Sequence, residues 1–120
     1  MARENRRQTG TLREEQAVCY LEKQGYKILE RNYWCRFSEL DIVAKEGEYL
    51  CFVEVKYRRN DQYEAPAGVI SRTKMSNICK ASQFYMKEKR ILPDTPVRYD
   101  VVMIIGEELT LMRNAFFYRQ

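Results

Sequence analysis

A strand that carries two charged side chains on one face most restricts what this sequence can fold into. The stretches Phe52–Lys56 and Glu39–Ala44 are rich in β-branched and apolar residues, which predicts a strand for each. Alternate side chains share one face of a strand, so Glu54 and Lys56 point the same way, beside Phe52. Charged groups are rarely buried unless they are paired or hold a metal. The pattern therefore predicts a site of function, or of ion pairing, on this strand.

The size and composition indicate a single globular domain. The chain has 120 residues, of which 45% are hydrophobic and 32% are charged. No apolar run approaches the roughly 20 residues that a membrane span requires, so no membrane partner is expected. Residues 1–9 are basic and polar without a following apolar segment, which predicts a flexible basic arm rather than a signal peptide.

The counts of cysteine and histidine exclude several kinds of chemistry. There is no histidine, so a Ser-His or Cys-His hydrolase cannot be built within this chain. The four cysteines lie far apart, which argues against a zinc site. Cys19, Cys51 and Cys79 lie in apolar stretches and are interpreted as core thiols, which suits a reducing cytoplasm. The net charge of +4 permits a nucleic-acid partner without requiring one.

Hydrophobic periodicity predicts the element order α-β-β-β-α-β-β. The predicted elements are a helix from about Thr11 to Gln24, strands at about Lys27–Arg36, Glu39–Lys45 and Glu48–Tyr57, a helix from an N-cap at Ser71 to about Arg90, and strands at Val97–Ile105 and Glu108–Arg113. Hairpin turns are expected at Glu46-Gly47 and Gly106-Glu107, and Pro93 and Pro96 are expected to stop the second helix. This order predicts a mixed α/β sheet flanked by helices.

The first helix contributes an acidic residue to its inward face. Ala17, Val18 and Leu21 form its apolar stripe, and Glu14 lies at helical spacing from all three. Glu15 is rotated by about 100° toward solvent. Glu14 is thus a candidate site residue, although an acid in a first turn is also explained by the helix dipole.

The charged strand and its neighbour supply the groups that metal-dependent phosphodiester cleavage requires. Asp41, Glu54 and the main-chain carbonyl of Val55 offer oxygen ligands to Mg²⁺ or Mn²⁺. Lys56 can hold the attacking water or stabilise the transition-state oxygens. The alternative is that Glu54 and Lys56 form only structural salt bridges. Glu39 shares the face of Asp41 and is either an additional ligand or a solvated acid.

The element order, with Asp on the second strand and Glu-x-Lys on the third, resembles the PD-(D/E)-x-K restriction-endonuclease-like superfamily. The chain is most similar to the bacterial YraN-type family of uncharacterised proteins, which themselves resemble archaeal Holliday-junction resolvases. The likeness extends from Gly10 to about Ile105 and rests on the motifs within Glu14–Leu21, Gly25–Tyr33, Glu39–Ala44, Phe52–Arg58 and Tyr99–Val102. Leu40 stands where the superfamily has proline, and Arg13 and Ser38 stand where the family often has glycine.

The resemblance implies a restriction-endonuclease-like fold and a divalent-metal-dependent nuclease that cleaves DNA, with branched DNA as the favoured substrate. Glu14 would be the acid of the first helix, Asp41 and Glu54 the metal ligands, and Lys56 the catalytic lysine. Because resolvases cut two strands symmetrically as dimers, a homodimer would fit. Two alternatives remain open, namely a DNA-binding module of the same fold with weak or lost catalysis, and a nuclease that acts on RNA.

Basic residues around the loop after the charged strand are candidates for phosphate contacts, namely Arg58, Arg59, Arg72 and Lys74. Each one alone is as readily a solvated surface charge. Tyr57 and Tyr63 can stack on unpaired bases, although Tyr57 can equally pack on the far face of the sheet. Gln83 is either a substrate contact or a residue at the edge of the core. The aromatic tail Phe116-Phe117-Tyr118 either closes the core or forms a subunit contact.

Overall fold

The structure is a computed structural model that describes residues 2–59 and 70–118, with side chains described from residue 12 onward. Helix α1 spans Ala2–Lys23 and therefore begins well before the expected start at Thr11. Residues 2–9 continue this helix where a polar arm was expected. Its end matches the prediction, because Gly25 has φ 99° and the Tyr26 N–H donates to the Leu21 carbonyl at 3.0 Å. This left-handed glycine closes the last turn.

In the part of the chain that the structure describes, five strands follow in one mixed sheet of order β1-β2-β3-β4-β5. Their bounds are β1 Lys27–Trp34, β2 Glu39–Glu46, β3 Tyr49–Arg58, β4 Val97–Ile105 and β5 Glu108–Phe116. Among the strands of the described residues, β3 and β4 alone pair in parallel, and helix α2, Arg72–Glu88, lies between them in the chain. The predicted fold class and element order are therefore confirmed. The turn between β2 and β3 is Gly47-Glu48, one residue later than predicted, because Glu46 still pairs with Tyr49.

The two helices cover opposite faces of the sheet. Helix α1 buries Ala17 and Leu21 in one apolar cluster, together with alternate strand residues such as Val53. Helix α2 buries Ile78 in a second cluster that includes Phe52. Adjacent residues of a strand point to opposite faces, so Phe52 and Val53 assign one helix to each side. Glu54 and Lys56 share the face of Phe52 and therefore point toward the side covered by α2.

The end of α2 differs from the prediction in its mechanism. Arg90 has φ 55°, and the Ile91 N–H donates to the Met86 carbonyl at 2.9 Å. This is the closing geometry that glycine usually provides. Helix α2 thus ends at Glu88, and the left-handed Arg90 closes it before the chain reaches Pro93. Its beginning is as predicted, because the Ser71 hydroxyl accepts from the Lys74 N–H at 3.1 Å.

The cysteine interpretation needs one correction. Cys51 and Cys79 are buried, as core thiols should be. Cys19 is exposed, because it lies outside the stripe that α1 turns to the sheet, so its interpretation as a core residue was wrong. Among the described residues, no helix is long and apolar enough to cross a membrane.

Candidate active site

The site lies where the hydrogen-bonded ladder between β2 and β3 stops. The pairing of these strands runs from Glu46 and Tyr49 to Ile42 and Val53. Just beyond it, the Val55 N–H donates to Asp41 Oδ2 at 2.9 Å. The Asp41 N–H lies 3.5 Å from Glu54 Oε2. Each carboxylate thus faces the main chain of the opposite strand.

This arrangement brings two carboxylates together in a poorly solvated place. The Glu54 side chain is only 4% exposed. Burial and the charge of Asp41 raise the pKa of Glu54 to about 8, against an ordinary value of 4.5. Burial also raises the pKa of Asp41. Two carboxylates that oppose each other's ionisation form a site that a cation would relieve.

Two lysines face this carboxylate pair. Lys56 follows Glu54 on the same face of β3, and its charge lowers the pKa of both Asp41 and Glu54. Lys74, from the first turn of α2, places Nζ at 3.8 Å from Glu54 Oε1. Asp41, Glu54 and Lys56 therefore lie together, as the strand pattern predicts. Lys74, a candidate for phosphate contact, lies against the Glu54 carboxyl group in this structure.

Glu14 also faces the site, as its helical phase predicts. Its side chain is 17% exposed, whereas that of Glu15 is 53% exposed. Burial and the charge of Asp41 raise the Glu14 pKa, and Arg31 of β1 acts in the opposite direction. Glu14 Oε1 is buried without a hydrogen-bond partner. Arg31 Nε lies 3.9 Å from this oxygen, so Glu14 Oε1 has an ion pair but still lacks a hydrogen-bond donor.

Glu39 belongs to the same electrostatic group. Burial raises its pKa, and the charges of Asp41 and Glu14 raise it further. Lys74 lowers it. Four acids from α1, β2 and β3 thus share one region, with Lys56 and Lys74 as nearby cations.

The donors at the ladder end fit a hard divalent cation. Asp41 and Glu54 supply carboxylate oxygens, and Mg²⁺ typically takes one or two carboxylates and keeps several waters. In a strand, the N–H and C=O of one residue point to the same side, so the Val55 carbonyl also faces β2. Within residues 2–59 and 70–118, no group of three or more acidic or cysteine side chains is close enough to form a metal site alone. A metal here would therefore be coordinated by Asp41, Glu54, the Val55 carbonyl and water.

The arginines proposed for phosphate binding differ in how exposed they are. Arg58 is half-buried and donates to the Tyr57 carbonyl at 2.8 Å. Arg59 and Arg72 are exposed. Tyr57 packs on the α1 face of the sheet, where the Arg13 guanidinium lies 4.0 Å from the centre of its ring. This position confirms the packing alternative for Tyr57.

The other candidates lie away from the carboxylates or outside the described residues. Gln83 is exposed and lines a cavity of about 430 Å³ that no site carboxylate lines. Phe116 is buried and stacks on Tyr99 with ring centres 5.0 Å apart, so it closes the core. Phe117 and Tyr118 remain exposed. Tyr63 lies outside the described residues.

A second polar centre was not anticipated. Asp100 is fully buried and accepts from the Tyr26 hydroxyl at 2.7 Å, from Arg98 Nε at 2.9 Å and from the Asn114 N–H at 2.8 Å. Arg98 also contacts Glu46, whose pKa falls to about 2 through hydrogen bonds from Arg113 and Arg98. Both Asp100 oxygens are satisfied, so this network is structural. The acidic residue within the apolar strand Val97–Ile105 is the sequence signal that could have predicted this network.

Comparison with known proteins finds relatives over nearly the whole chain. The sequence model described as Uncharacterised protein family UPF0102 matches residues 13–104. A UPF0102 protein of Lachnoclostridium phytofermentans is 45% identical over 112 residues, which cover 93% of this chain and 95% of the relative. One from Syntrophus aciditrophicus is 45% identical, covering 90% of this chain and 87% of the relative. One from Vibrio parahaemolyticus is 34% identical, covering 92% of this chain and 93% of the relative. The matched range contains every residue of the candidate site.

Proposed function

The chain belongs to Uncharacterised protein family UPF0102, and we propose that it is a divalent-metal-dependent endonuclease that hydrolyses phosphodiester bonds in DNA. The observation that carries the proposal is the Asp41–Glu54 pair at the open end of the β2–β3 ladder. Lys56 follows on the same face of β3. Two carboxylates beside a lysine are the groups that metal-assisted phosphoryl transfer uses.

The residues of this site have separable roles in the proposal. Asp41, Glu54 and the Val55 carbonyl would hold Mg²⁺ or Mn²⁺. The bound ion would supply a more acidic water and offset the charge that builds on the phosphate. Lys56 orients the attacking water or contacts the phosphate oxygens. Glu14, whose buried Oε1 has the ion pair with Arg31 but no hydrogen-bond donor, accepts a hydrogen bond from a water at the edge of the site.

The proposed substrate is branched DNA. The exposed guanidinium groups of Arg59 and Arg72 lie on the chain segments that follow β3 and begin α2, where phosphates entering the site would pass. A homodimer belongs to this proposal, because symmetric cutting of two strands requires two sites. The proposed location is the cytoplasm, where thiols such as Cys51 and Cys79 stay reduced.

A second candidate function is a DNA-binding module that retains the fold without cutting. The Lys74–Glu54 ion pair favours it, because a cation from the protein already offsets part of the buried negative charge. An RNA nuclease with the same site is a third possibility, because the carboxylates and Lys56 act on a phosphodiester of either polymer.

The test is a cleavage panel on labelled linear, flapped and four-way DNA, with matched RNA strands, in Mg²⁺, Mn²⁺ or EDTA. The proposal predicts metal-dependent cutting of branched DNA by the wild type and its loss in Glu54→Gln. Binding without cutting in either metal would favour the module. Cutting confined to the RNA strands would assign the site to RNA.

A further inference from the structure

Lys74 occupies a position that helix physics disfavours. It lies in the first turn of α2, whose N-cap is Ser71, and this turn contains no acidic residue. The N-terminus of a helix carries a partial positive charge, so a cation there is unfavourable by a few tenths to about 1 kcal/mol. The acidic side chains that Lys74 faces, namely Glu54, Asp41 and Glu39, supply the negative charge that compensates for this placement.

The contact joins a partly exposed ammonium group to a buried carboxyl group. Lys74 Nζ lies 3.8 Å from Glu54 Oε1, and the lysine side chain is 37% exposed whereas that of Glu54 is 4% exposed. The lysine therefore has solvent beside it, while the carboxylate has none. Lys74 also acts electrostatically on Asp41 and Glu39, so its charge reaches three acids of the site.

We propose that Lys74 is the counter-ion of the metal-free site and that it leaves Glu54 when a divalent cation binds there. This inference rests on the proposed function, because it assumes that Asp41 and Glu54 receive the cation. A dication on Glu54 and an ammonium group next to the same carboxylate repel each other. The lysine stem can rotate toward solvent, whereas Glu54 cannot follow it. Once released, Lys74 is free to meet a substrate phosphate.

Isothermal titration with Mn²⁺ tests the exchange directly. Lys74→Gln removes the competing charge and keeps most of the side-chain length, so we expect Mn²⁺ to bind about tenfold more tightly than to the wild type. Arg72→Gln removes the same unit charge from the same helical turn, but Arg72 is exposed. It should leave Mn²⁺ affinity within about twofold of the wild type, because solvent screens exposed charges. Lys74→Arg retains the charge and should also behave like the wild type.

The outcomes separate this inference from the proposed function. If wild type and Lys74→Gln bind Mn²⁺ equally, or if the variant binds more weakly, Lys74 is not the exchanged counter-ion, although the metal site stands. If neither protein binds Mn²⁺, both the metal site and the counter-ion are wrong. Near-ultraviolet circular dichroism establishes that each variant is folded. Should Lys74→Gln fail that check, Lys74→Met provides the same charge removal.

Discussion

The Val55 N–H donates to Asp41 Oδ2 at 2.9 Å, so a side chain makes the contact that a β-ladder would otherwise make at this point. Asp41 therefore has both a structural and a proposed chemical role. Asp41→Asn keeps an oxygen acceptor for Val55, whereas Asp41→Ala leaves the donor unpaired. We expect Asp41→Ala to lower the free energy of unfolding by about 1–3 kcal/mol, and Asp41→Asn by much less.

Urea denaturation measures the stability difference, and Mn²⁺ titration measures the chemical role. Both Asp41→Asn and Glu54→Gln should bind Mn²⁺ far more weakly than the wild type while remaining folded. Equal binding in all three proteins would place the metal elsewhere.

Glu54 should make stability depend on pH in an unusual direction. Its pKa is raised from 4.5 to about 8 in the folded protein. Between about pH 4.5 and pH 8, Glu54 keeps a proton in the folded protein that it has lost in the unfolded chain. The free energy of unfolding therefore falls as the pH rises through this range. In EDTA, Glu54→Gln should remove the fall and raise the free energy of unfolding near pH 9 by up to about 5 kcal/mol, because each pKa unit is worth about 1.4 kcal/mol. Urea denaturation at about pH 5 and about pH 9 tests this, and parallel pH profiles would refute it.

The buried Asp100 network predicts a large loss of stability that involves no site residue. Asp100→Asn removes the charge that Arg98 faces and exchanges one acceptor for a donor. Breaking a buried ion pair in this way typically costs about 3–5 kcal/mol. We expect a loss in the lower part of that range, because Arg98 keeps Glu46. A midpoint of urea denaturation unchanged from wild type would show that the network contributes little.

Arg90 offers a stabilising substitution. Its φ of 55° is strained for an L-residue with a side chain and natural for glycine. Arg90→Gly should therefore raise the free energy of unfolding by about 0.5–1 kcal/mol, since relief of strain exceeds the added entropy of the unfolded chain. The matched control is Lys87→Gly, within α2, which should destabilise by a similar amount. Thermal denaturation of the two variants gives the comparison.

The sequence predicts the fold well because its signals are local. Alternation placed Glu54 and Lys56 on one face, and the apolar stripe of α1 placed Glu14 inward and Glu15 outward. The left-handed Gly25 and the Ser71 cap are likewise decided within a few residues. Each of these features depends on spacing along one element.

The features that the sequence did not predict depend on how elements dock. Lys74 contacts Glu54 because the first turn of α2 docks beside this residue of β3. The spacing of the two residues along the chain does not predict that contact. Asp100 accepts hydrogen bonds from Tyr26, Arg98 and Asn114, which lie in three parts of the chain. The left-handed conformation of Arg90 that closes α2 was not predicted, because it breaks the local rule that favours glycine.

A paired cleavage and binding assay on four-way DNA tests the central claim most directly. Lys56→Ala removes the group proposed to orient the attacking water or contact the phosphate, so it should abolish cutting. Both carboxylates remain, so DNA affinity should stay near that of the wild type. Replacing Arg58 and Arg59 together with alanine should instead weaken binding, and each lost phosphate contact should reduce the log–log salt slope by about 0.7–0.9. The account predicts cutting by wild type in Mg²⁺ or Mn²⁺ and none by Lys56→Ala. A wild-type protein that binds this DNA but never cuts it in either metal would contradict the account.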